Sequence, residues 1–252
     1  MEHYETDLKS WSKEDTTPVS EADLAVNAFL HEELIAKAPK MGWLSEETAD
    51  NSDRLSQSVI WVVDPIDGTR AFLKERPEWV ISIAAVKDHQ PIAGAIYNPV
   101  TDEMFTAYED GGARLNGEPI RVHKRKLLKG CRMLGYKDMF GHPDWREPWP
   151  EMTIDQVNAV AYRMALVACG RFDGTLSLSF KNEWDTAAAH LIVTEAGGVV
   201  TNHHGQPLSY NQPGAVGSSL ICAGPYLHKE IKARVGYIPD SRLSPQDDGG
   251  RP

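Results

Sequence analysis

Apolar residues recur along this chain with two different periods, which together predict most of its elements. The segment 20–37 carries apolar residues at helical spacing and begins with Ser20 and Asp23, a pair typical of a helix N-terminus. The run SVIWVV at 58–63 is continuously apolar, as expected of a buried strand. The segments WVISIAAVK, QPIAGAIYNPV and DEMFTAYE then predict three more strands separated by turns. We therefore expect an antiparallel meander after the first helix, with a later turn at Asn116–Gly117.

The second half of the chain is more helical. Residues 131–153 are irregular and rich in proline and tryptophan, and we interpret them as a connection between two halves or a loop over a site. The pattern predicts helices over 154–170 and 184–198, each ending at glycine. It also predicts short strands at 175–179 and 199–202.

This order of elements indicates stacked layers of helices and strands. We expect an N-terminal α+β half over residues 1–128 and a C-terminal α/β half over residues 129–236. The polar segment 237–252 is predicted to be a disordered tail.

Composition and charge limit which partners and which compartment the protein is expected to have. The 252 residues are 41% hydrophobic and 25% charged, enough to form a real core. A net charge of -10 argues against a nucleic-acid polymer as partner, but not against a small phosphorylated metabolite, because a metal ion can reverse the local field. The three cysteines are widely spaced, which favours a reducing compartment. Without a signal peptide or membrane-spanning segment in the sequence, we expect a cytoplasmic protein that does not bind membranes.

The stretch WVVDPIDGTRAF carries the most informative chemistry. Asp64 and Asp67 follow an apolar strand that Pro65 is expected to end. Gly68 permits a positive φ, and Thr69 starts a short helical segment whose backbone N–H groups can hold a phosphate. Two neighbouring carboxylates repel each other and remain ionised together when a cation lies between them. The pattern therefore indicates a metal and phosphate site.

Simpler interpretations exist for each piece. DPIDGT is also a common turn composition, Glu46 with Glu47 is also a solvated acidic pair, and Asp185 is also a helix cap. An EF-hand and an aspartyl-phosphate phosphatase both require acids at other spacings. A glycosidase with paired carboxylates is a further alternative, but the Gly-Thr helix start and additional acids fit metals and phosphate better.

Taken in order, three pieces resemble the inositol monophosphatase superfamily: WLSEET, WVVDPIDGT and EWDTAAAHLIVTEAGG. The segment TPVSEAD resembles the Thr-x-x-Asp region of that family, and the resemblance runs from about Lys13 to Tyr226. It implies an α/β fold of the sugar-phosphatase type, a layered α-β-α-β-α sandwich. The sheet of the N-terminal half would be antiparallel and that of the C-terminal half mixed. Family members carry an extra helix before the lysine-containing segment, so the short start favours a truncated or internally started chain.

The resemblance also implies a set of site residues. Glu46, Asp64 and the carbonyl of Ile66 would bind one Mg²⁺, and Asp64 would bridge to a second Mg²⁺ held by Asp67 and Asp185. A third ion would lie near Glu46, giving two to three ions in all. The phosphate would bind the N–H groups of Gly68 and Thr69, and an activated water would attack it with Asp23, Glu46 and Thr69 as the catalytic residues. The implied activity is a Mg²⁺-dependent phosphomonoesterase, inhibited by Li⁺ and often dimeric.

The substrate is less clear from the sequence. DGTRAF and EWDTAAA resemble the motifs of 3'(2'),5'-bisphosphate nucleotidases, which favours 3'-phosphoadenosine 5'-phosphate. Counting seven residues back from Asp185 reaches Leu178, where inositol phosphatases carry a glutamate. Arg163 falls where nucleotidases often have a basic residue and is a candidate for a second phosphate, although a surface arginine is an equal reading. Inositol-1-monophosphatase stays the alternative, and a non-enzymatic regulator on the same fold is the rival of a different class. The histidines, including His203 and His204, are interpreted as surface or packing residues.

Overall fold

Residues 9–12 and 18–244 are described in the computed structural model of the chain. They contain six α-helices: α1 (Glu21–Lys37), α2 (Thr69–Phe72), α3 (Lys137–Phe140), α4 (Val160–Ala168), α5 (Glu183–Glu195) and α6 (Pro225–Val235). Two 3₁₀ helices cover Ser52–Ser56 and Asp240–Arg242. None of the helices in this part of the chain combines the length and apolar character needed to cross a bilayer.

The larger sheet lies in the N-terminal half, after a short antiparallel pair formed by β1 (Ser10–Ser12) and β2 (Pro18–Ser20). Its seven strands are β3 (Gly42–Ser45), β4 (Val59–Asp67), β5 (Val80–Lys87), β6 (Gln90–Asn98), β7 (Glu103–Tyr108), β8 (Ala113–Leu115) and β9 (Glu118–Pro119), in that spatial order. The predicted meander is confirmed from β4 to β7. The sheet is not wholly antiparallel, because β3 pairs with β4 in parallel.

The second sheet lies in the C-terminal half and is mixed, as expected. The strands of this half are β10 (Arg132–Leu134), β11 (Thr153–Asp155), β12 (Gly174–Ser177), β13 (Lys181–Asn182), β14 (Val199–Thr201), β15 (Val216–Gly217) and β16 (Leu220–Ala223). Five of them form a sheet in the order β11-β10-β12-β16-β14, and β13 pairs with β15 in a separate ribbon. Strand β10 is parallel to β11 and β12, while β16 is antiparallel to both its neighbours.

Helices α4 and α5 form the middle layer. Helix α5 packs on β5 and β6 of the larger sheet, and α4 packs on α5 and on β12 and β16 of the second sheet. Helix α1 lies against β4, and α6 lies against β16. This is the predicted α-β-α-β-α order. One hydrophobic cluster joins residues of both halves, with Ile96 and Phe105 on one side and Met164 and Ile192 on the other.

Individual elements follow from local signals. Ser20 is the N-cap of α1, and its backbone N–H donates to Asp23 Oδ2 over 2.8 Å. Asn116 and Gly117 both have positive φ between β8 and β9, as a tight hairpin turn requires. Gly197 follows α5 with φ of 83°, which confirms the predicted glycine stop.

Three predictions of local structure in the second half of the chain were wrong in part. Residues 131–153 contain β10 and α3 rather than only irregular chain, because β10 pairs with β11 and β12 in the second sheet. Trp145 lies in a second core cluster and packs edge to face with Trp149. The helix predicted over 154–170 begins only at Val160, since β11 takes up the preceding residues as a strand beside β10.

The predicted disordered tail also starts too early at residue 237. Ile238 and Leu243 are buried, Asp240–Arg242 is a 3₁₀ helix, and Ser244 forms a β-bridge with Ser179. Burial of two apolar side chains holds this segment in place, although its sequence is polar on average. Residues 245–252 lie outside the described residues, as does Lys13.

Candidate active site

The acidic motif lies where β4 meets α2. Pro65 does not end the strand, as the sequence suggested, because β4 continues to Asp67 through a shift in its register with β5 between Asp64 and Asp67. Gly68 then has φ of 98°, in the left-handed region, and Thr69 opens α2. A Cβ at position 68 would lie 3.0 Å from the carbonyl oxygen of Glu78, so both the conformation and the space require glycine.

Asp64 is the electrostatic centre of this region. Its side chain is 1% exposed, and Oδ1 accepts a hydrogen bond from the N–H of Ile66 over 3.0 Å. Burial first, and then the charges of Glu46, Asp67 and Asp185, raise the pKa of Asp64 well above its ordinary value. The structure therefore places the four carboxylates that the resemblance implies as metal ligands in one region, where three of them act on the charge of Asp64.

Asp67 is held by a helix from the other half of the chain. Its two carboxylate oxygens accept hydrogen bonds from the N–H groups of Val160 and Ala161, over 3.0 and 2.6 Å. These are free donors at the N-terminus of α4, where a negative charge is stabilised. Burial nevertheless raises the pKa of Asp67 to about 7, because it outweighs these two bonds and the nearby charge of Arg163.

Asp23 and Thr69 form a second pair beside the carboxylates. Asp23 Oδ2 accepts from the N–H and hydroxyl of Ser20, over 2.8 and 2.6 Å, which leaves Oδ1 facing the Thr69 hydroxyl at 3.2 Å. Thr69 Oγ1 also lies 3.2 Å from the carbonyl oxygen of Ile66, the predicted backbone ligand. Burial raises the pKa of Asp23, which makes it a better proton acceptor than an exposed aspartate.

The remaining two carboxylates, Glu46 and Asp185, come from different halves of the chain. Glu46 follows β3, and its backbone N–H donates to the carbonyl of Val63 over 3.3 Å. Asp185 lies in the first turn of α5, where Oδ2 accepts from the N–H of Asn182 over 3.0 Å. The predicted cap role of Asp185 is therefore real and coexists with its place beside Asp64.

Arg54, which no sequence pattern singled out, connects the segment that carries Glu46 to the helix that carries Asp185. Arg54 lies in the 3₁₀ helix Ser52–Ser56, which follows Glu46 in the chain, and is 3% exposed. Its guanidinium donates to Asp50 through Nε and Nη2, over 2.6 and 2.9 Å, to Asn211 Oδ1 over 2.6 Å and to the carbonyl of Gln212 over 2.9 Å. The backbone N–H groups of Asn211 and Gln212 are in turn bound by Glu183.

Glu183 is the first residue of α5, and its carboxylate accepts the N–H groups of Asn211 and Gln212 over 2.6 and 2.8 Å. We call Arg54, Asp50, Asn211, Gln212 and Glu183 the Arg54 clamp. It connects the loop that carries Glu46 to the helix end that carries Asp185. No local sequence pattern marks it, because its two parts, Asp50 with Arg54 and Glu183 with Asn211 and Gln212, are more than 120 residues apart along the chain.

Two substrate inferences from the sequence are not supported. Arg163 is neither a surface residue nor open to a second phosphate, because it is 1% exposed within α4. Its charge acts on Asp67 instead, where it opposes the rise of that pKa. Leu178 is fully buried in the second core cluster, so counting seven residues back from Asp185 reaches a core position and says nothing about inositol.

The donor set fits divalent metal ions of the Mg²⁺ type. Four carboxylates and one backbone carbonyl provide oxygen ligands only, as Mg²⁺ prefers. Burial and mutual repulsion, seen in the raised pKa of Asp64, are relieved by a cation among them. The residues present therefore suit the ion that the resemblance implies.

Comparison with known proteins agrees with this geometry. The family model described as the inositol monophosphatase family matches residues 1–237. The chain is 31% identical to the 3'(2'),5'-bisphosphate nucleotidase CysQ of Aggregatibacter actinomycetemcomitans, covering 83% of this chain and 81% of the relative. It is 32% identical to an inositol-1-monophosphatase of Rhizobium meliloti, covering 85% and 81%. Among solved structures, the extragenic suppressor protein suhB of Bartonella henselae superimposes with a TM-score of 0.79 at 31% identity, covering 92% of this chain and 89% of that one.

Proposed function

The chain belongs to the inositol monophosphatase family of metal-dependent phosphatases, and on that premise we propose that it hydrolyses a small phosphate monoester at the Asp64 site, with 3'(2'),5'-bisphosphate nucleotides as the first candidate substrates. The observation that carries the proposal is that Glu46, Asp67 and Asp185 lie near enough to the buried carboxylate of Asp64 for their charges to act on it. We assign these residues and the Ile66 carbonyl as the ligands of Mg²⁺. When bound, Mg²⁺ supplies positive charge for the phosphate and lowers the pKa of water.

Other residues of the chain activate the water, bind the phosphate and position the metal ligands. Asp23, fixed by Ser20, orients the Thr69 hydroxyl, and this pair aligns the attacking water and accepts its proton. The left-handed turn at Gly68 brings the backbone close to the phosphate, which the N–H groups of Gly68 and Thr69 hold. Asp67 is kept in place by α4, so that the metal ligands from both halves stay in register.

The choice of substrate rests on two motifs. DGTRAF and EWDTAAA resemble the nucleotidase versions, and the CysQ relative supports this choice. The second candidate is an inositol 1-phosphate, because an inositol-1-monophosphatase is an equally similar relative and the burial of Leu178 removes the argument against it. Li⁺ inhibition, a third ion and a homodimer remain expectations for this chain.

The test is phosphate release with Mg²⁺ from 3'-phosphoadenosine 5'-phosphate, inositol 1-phosphate, histidinol phosphate and fructose 1,6-bisphosphate. We expect the highest kcat/KM for the first. Highest kcat/KM for inositol 1-phosphate would keep the phosphatase assignment and overturn the nucleotidase one. Turnover of none of the four by folded protein would favour the regulatory rival.

The matched variants are Asp64→Asn and, as a control carboxylate on the exposed face of α3, Asp138→Asn. Asp64→Asn should abolish Mg²⁺-dependent turnover while leaving the protein folded, because it removes a buried repulsion and keeps an acceptor for the Ile66 N–H. Asp138→Asn should behave as wild type. Activity retained by Asp64→Asn would refute the assignment of the site.

A further inference from the structure

A second group of metal-ligand side chains lies outside the site described above. His203 and His204 form the turn after β14, and Asp240 opens the 3₁₀ helix Asp240–Arg242 near the end of the described chain. One ligand atom of each residue lies within 4.8 Å of the other two. The sequence interpretation of the two histidines as surface or packing residues is incomplete, because it does not account for this convergence with Asp240.

Each imidazole ring is oriented by a bond on its far side. His203 Nδ1 lies 2.6 Å from the hydroxyl of Ser219, and His204 Nδ1 lies 3.1 Å from the carbonyl oxygen of Gly236. Both rings therefore present Nε2 toward Asp240, whose Oδ1 lies 3.7 Å from the first and 3.1 Å from the second. A histidine oriented through Nδ1, with Nε2 directed at other ligand atoms, is the usual arrangement of a metal ligand.

A backbone oxygen adds a fourth donor. The carbonyl of Ile238 lies 2.7 Å from His203 Nε2, on the same side of the ring as Asp240. Without an ion, His203 Nε2 carries a proton and donates it to this carbonyl. An ion would take the place of that proton, while Nδ1–H of the other tautomer donates to Ser219 Oγ. Binding therefore moves the single proton of neutral His203 from Nε2 to Nδ1, with no net release.

We propose that His203, His204 and Asp240 form a second metal site, separate from the carboxylate site, that takes a borderline divalent ion such as Zn²⁺. Two imidazole nitrogens and a carboxylate suit Zn²⁺, Co²⁺ or Ni²⁺, with Ile238 or water completing the set. Mg²⁺ prefers oxygen donors throughout and is poorly matched to this set. The two sites thus differ in the ions they select.

Occupancy would anchor the C-terminal segment. Asp240 lies between Ile238 and Leu243, which are both buried, and Ser244 bridges to Ser179. The two histidines belong to the turn after β14 of the second sheet. An ion held by all three side chains ties this sheet to the last described residues, and any ion that binds only the folded state stabilises it.

The experiment measures Zn²⁺ stoichiometry by titration calorimetry and the thermal midpoint, with full-length protein stripped of metal. The variants are His204→Gln and Asp240→Asn, which are partly exposed and leave buried His203 intact. The control is His142→Gln, another histidine beside an aspartate, whose Nδ1 lies 4.0 Å from Asp144. Because only the difference between wild type and variants is counted, binding of Zn²⁺ at the carboxylate site does not affect the result.

We expect wild type and the control to bind one more equivalent of Zn²⁺ than either variant, or to bind that equivalent at least tenfold more tightly, and to gain thermal stability that the variants lose. Mg²⁺-dependent turnover should be the same in all four proteins. Equal stoichiometry and equal affinity in all four would overturn the proposal, and would indicate that His204 and Asp240 form a simple ion pair. That result would not affect the proposed phosphatase activity.

Discussion

The Arg54 clamp offers the sharpest test of how the two sides of the site are held together. Arg54→Met removes every donor of the guanidinium and keeps much of its length. Asn211 Oδ1 and the Gln212 carbonyl then lose their partner in a largely buried place. Leaving a buried acceptor unsatisfied costs about 1–3 kcal/mol, so the two together cost roughly 2–6 kcal/mol of unfolding free energy.

The ion pair itself adds little to this figure. The side chain of Asp50 is 41% exposed, so water can solvate its carboxylate once Arg54 is gone, and such pairs contribute about 0–1 kcal/mol. For a chain of this size each kcal/mol shifts the thermal midpoint by about 2–4 °C, so we expect a fall of roughly 4–24 °C.

The same variant should also weaken the metal site. Without the clamp, the loop of Glu46 and the helix end of Asp185 are no longer fixed to each other, so the Mg²⁺ concentration for half-maximal activity should rise several-fold. Differential scanning fluorimetry and turnover against Mg²⁺ concentration measure the two effects. Arg54→Lys should fall between wild type and Arg54→Met, because it keeps the charge but not the fork. The control Arg114→Met removes an exposed arginine of β8 and should change neither quantity.

A loss of stability with unchanged Mg²⁺ dependence would refute the positioning role and leave Arg54 as a purely structural residue. Unchanged stability would refute the estimate made from the buried acceptors.

Three further predictions concern the site itself. Gly68→Ala places a Cβ 3.0 Å from a carbonyl oxygen at φ of 98°, so kcat should fall at least about tenfold, and wild-type kcat would contradict the close approach argued here. Thr69→Ala should lower kcat/KM by about 10²–10⁴-fold. Thr69→Ser keeps the hydroxyl beside Asp23, so its kcat/KM should stay within about tenfold of wild type. Equal losses in the two variants would exclude the hydroxyl from the chemistry. Burial raises the pKa of Asp67 to about 7, so the folded state binds this proton more tightly than the unfolded state. The thermal midpoint in EDTA should therefore fall as pH rises from about 6.5 to about 7.5, above the range in which the lowered pKa values of buried His190 and His228 give the opposite trend, and Mg²⁺ should reverse the fall. A midpoint in EDTA that rises over this range would contradict the raised pKa.

Much of the local structure was predictable because its signals are local. The cap of α1 at Ser20, the meander strands β4 to β7 and the turn at Asn116–Gly117 each depend on residues a few positions apart. The same holds for the αL glycine at position 68, where sequence and structure agree. The ligand set came from the resemblance rather than from these patterns, and the structure brings its members together.

The wrong predictions concern segments whose structure depends on contacts with residues far away in the chain. Helix α4 starts at Val160, where Asp67 accepts its first free N–H groups, and Asp67 lies 93 residues earlier. Arg163 is buried because α4 lies between two sheets, a placement that its own helical pattern does not reveal. The segment after 236 is ordered by two buried side chains, although its average polarity resembles that of a tail.

The bonds from Val160 and Ala161 to Asp67 also bear on when the site comes into existence during folding. They close a loop of more than ninety residues, and such contacts form slowly because of the chain entropy lost in closing them. A growing chain that has emerged only as far as the meander lacks both the α4 donors that hold Asp67 and the carboxylate of Asp185, so we expect it to bind Mg²⁺ weakly. Metal binding becomes a late event, which should slow unfolding more than it speeds refolding.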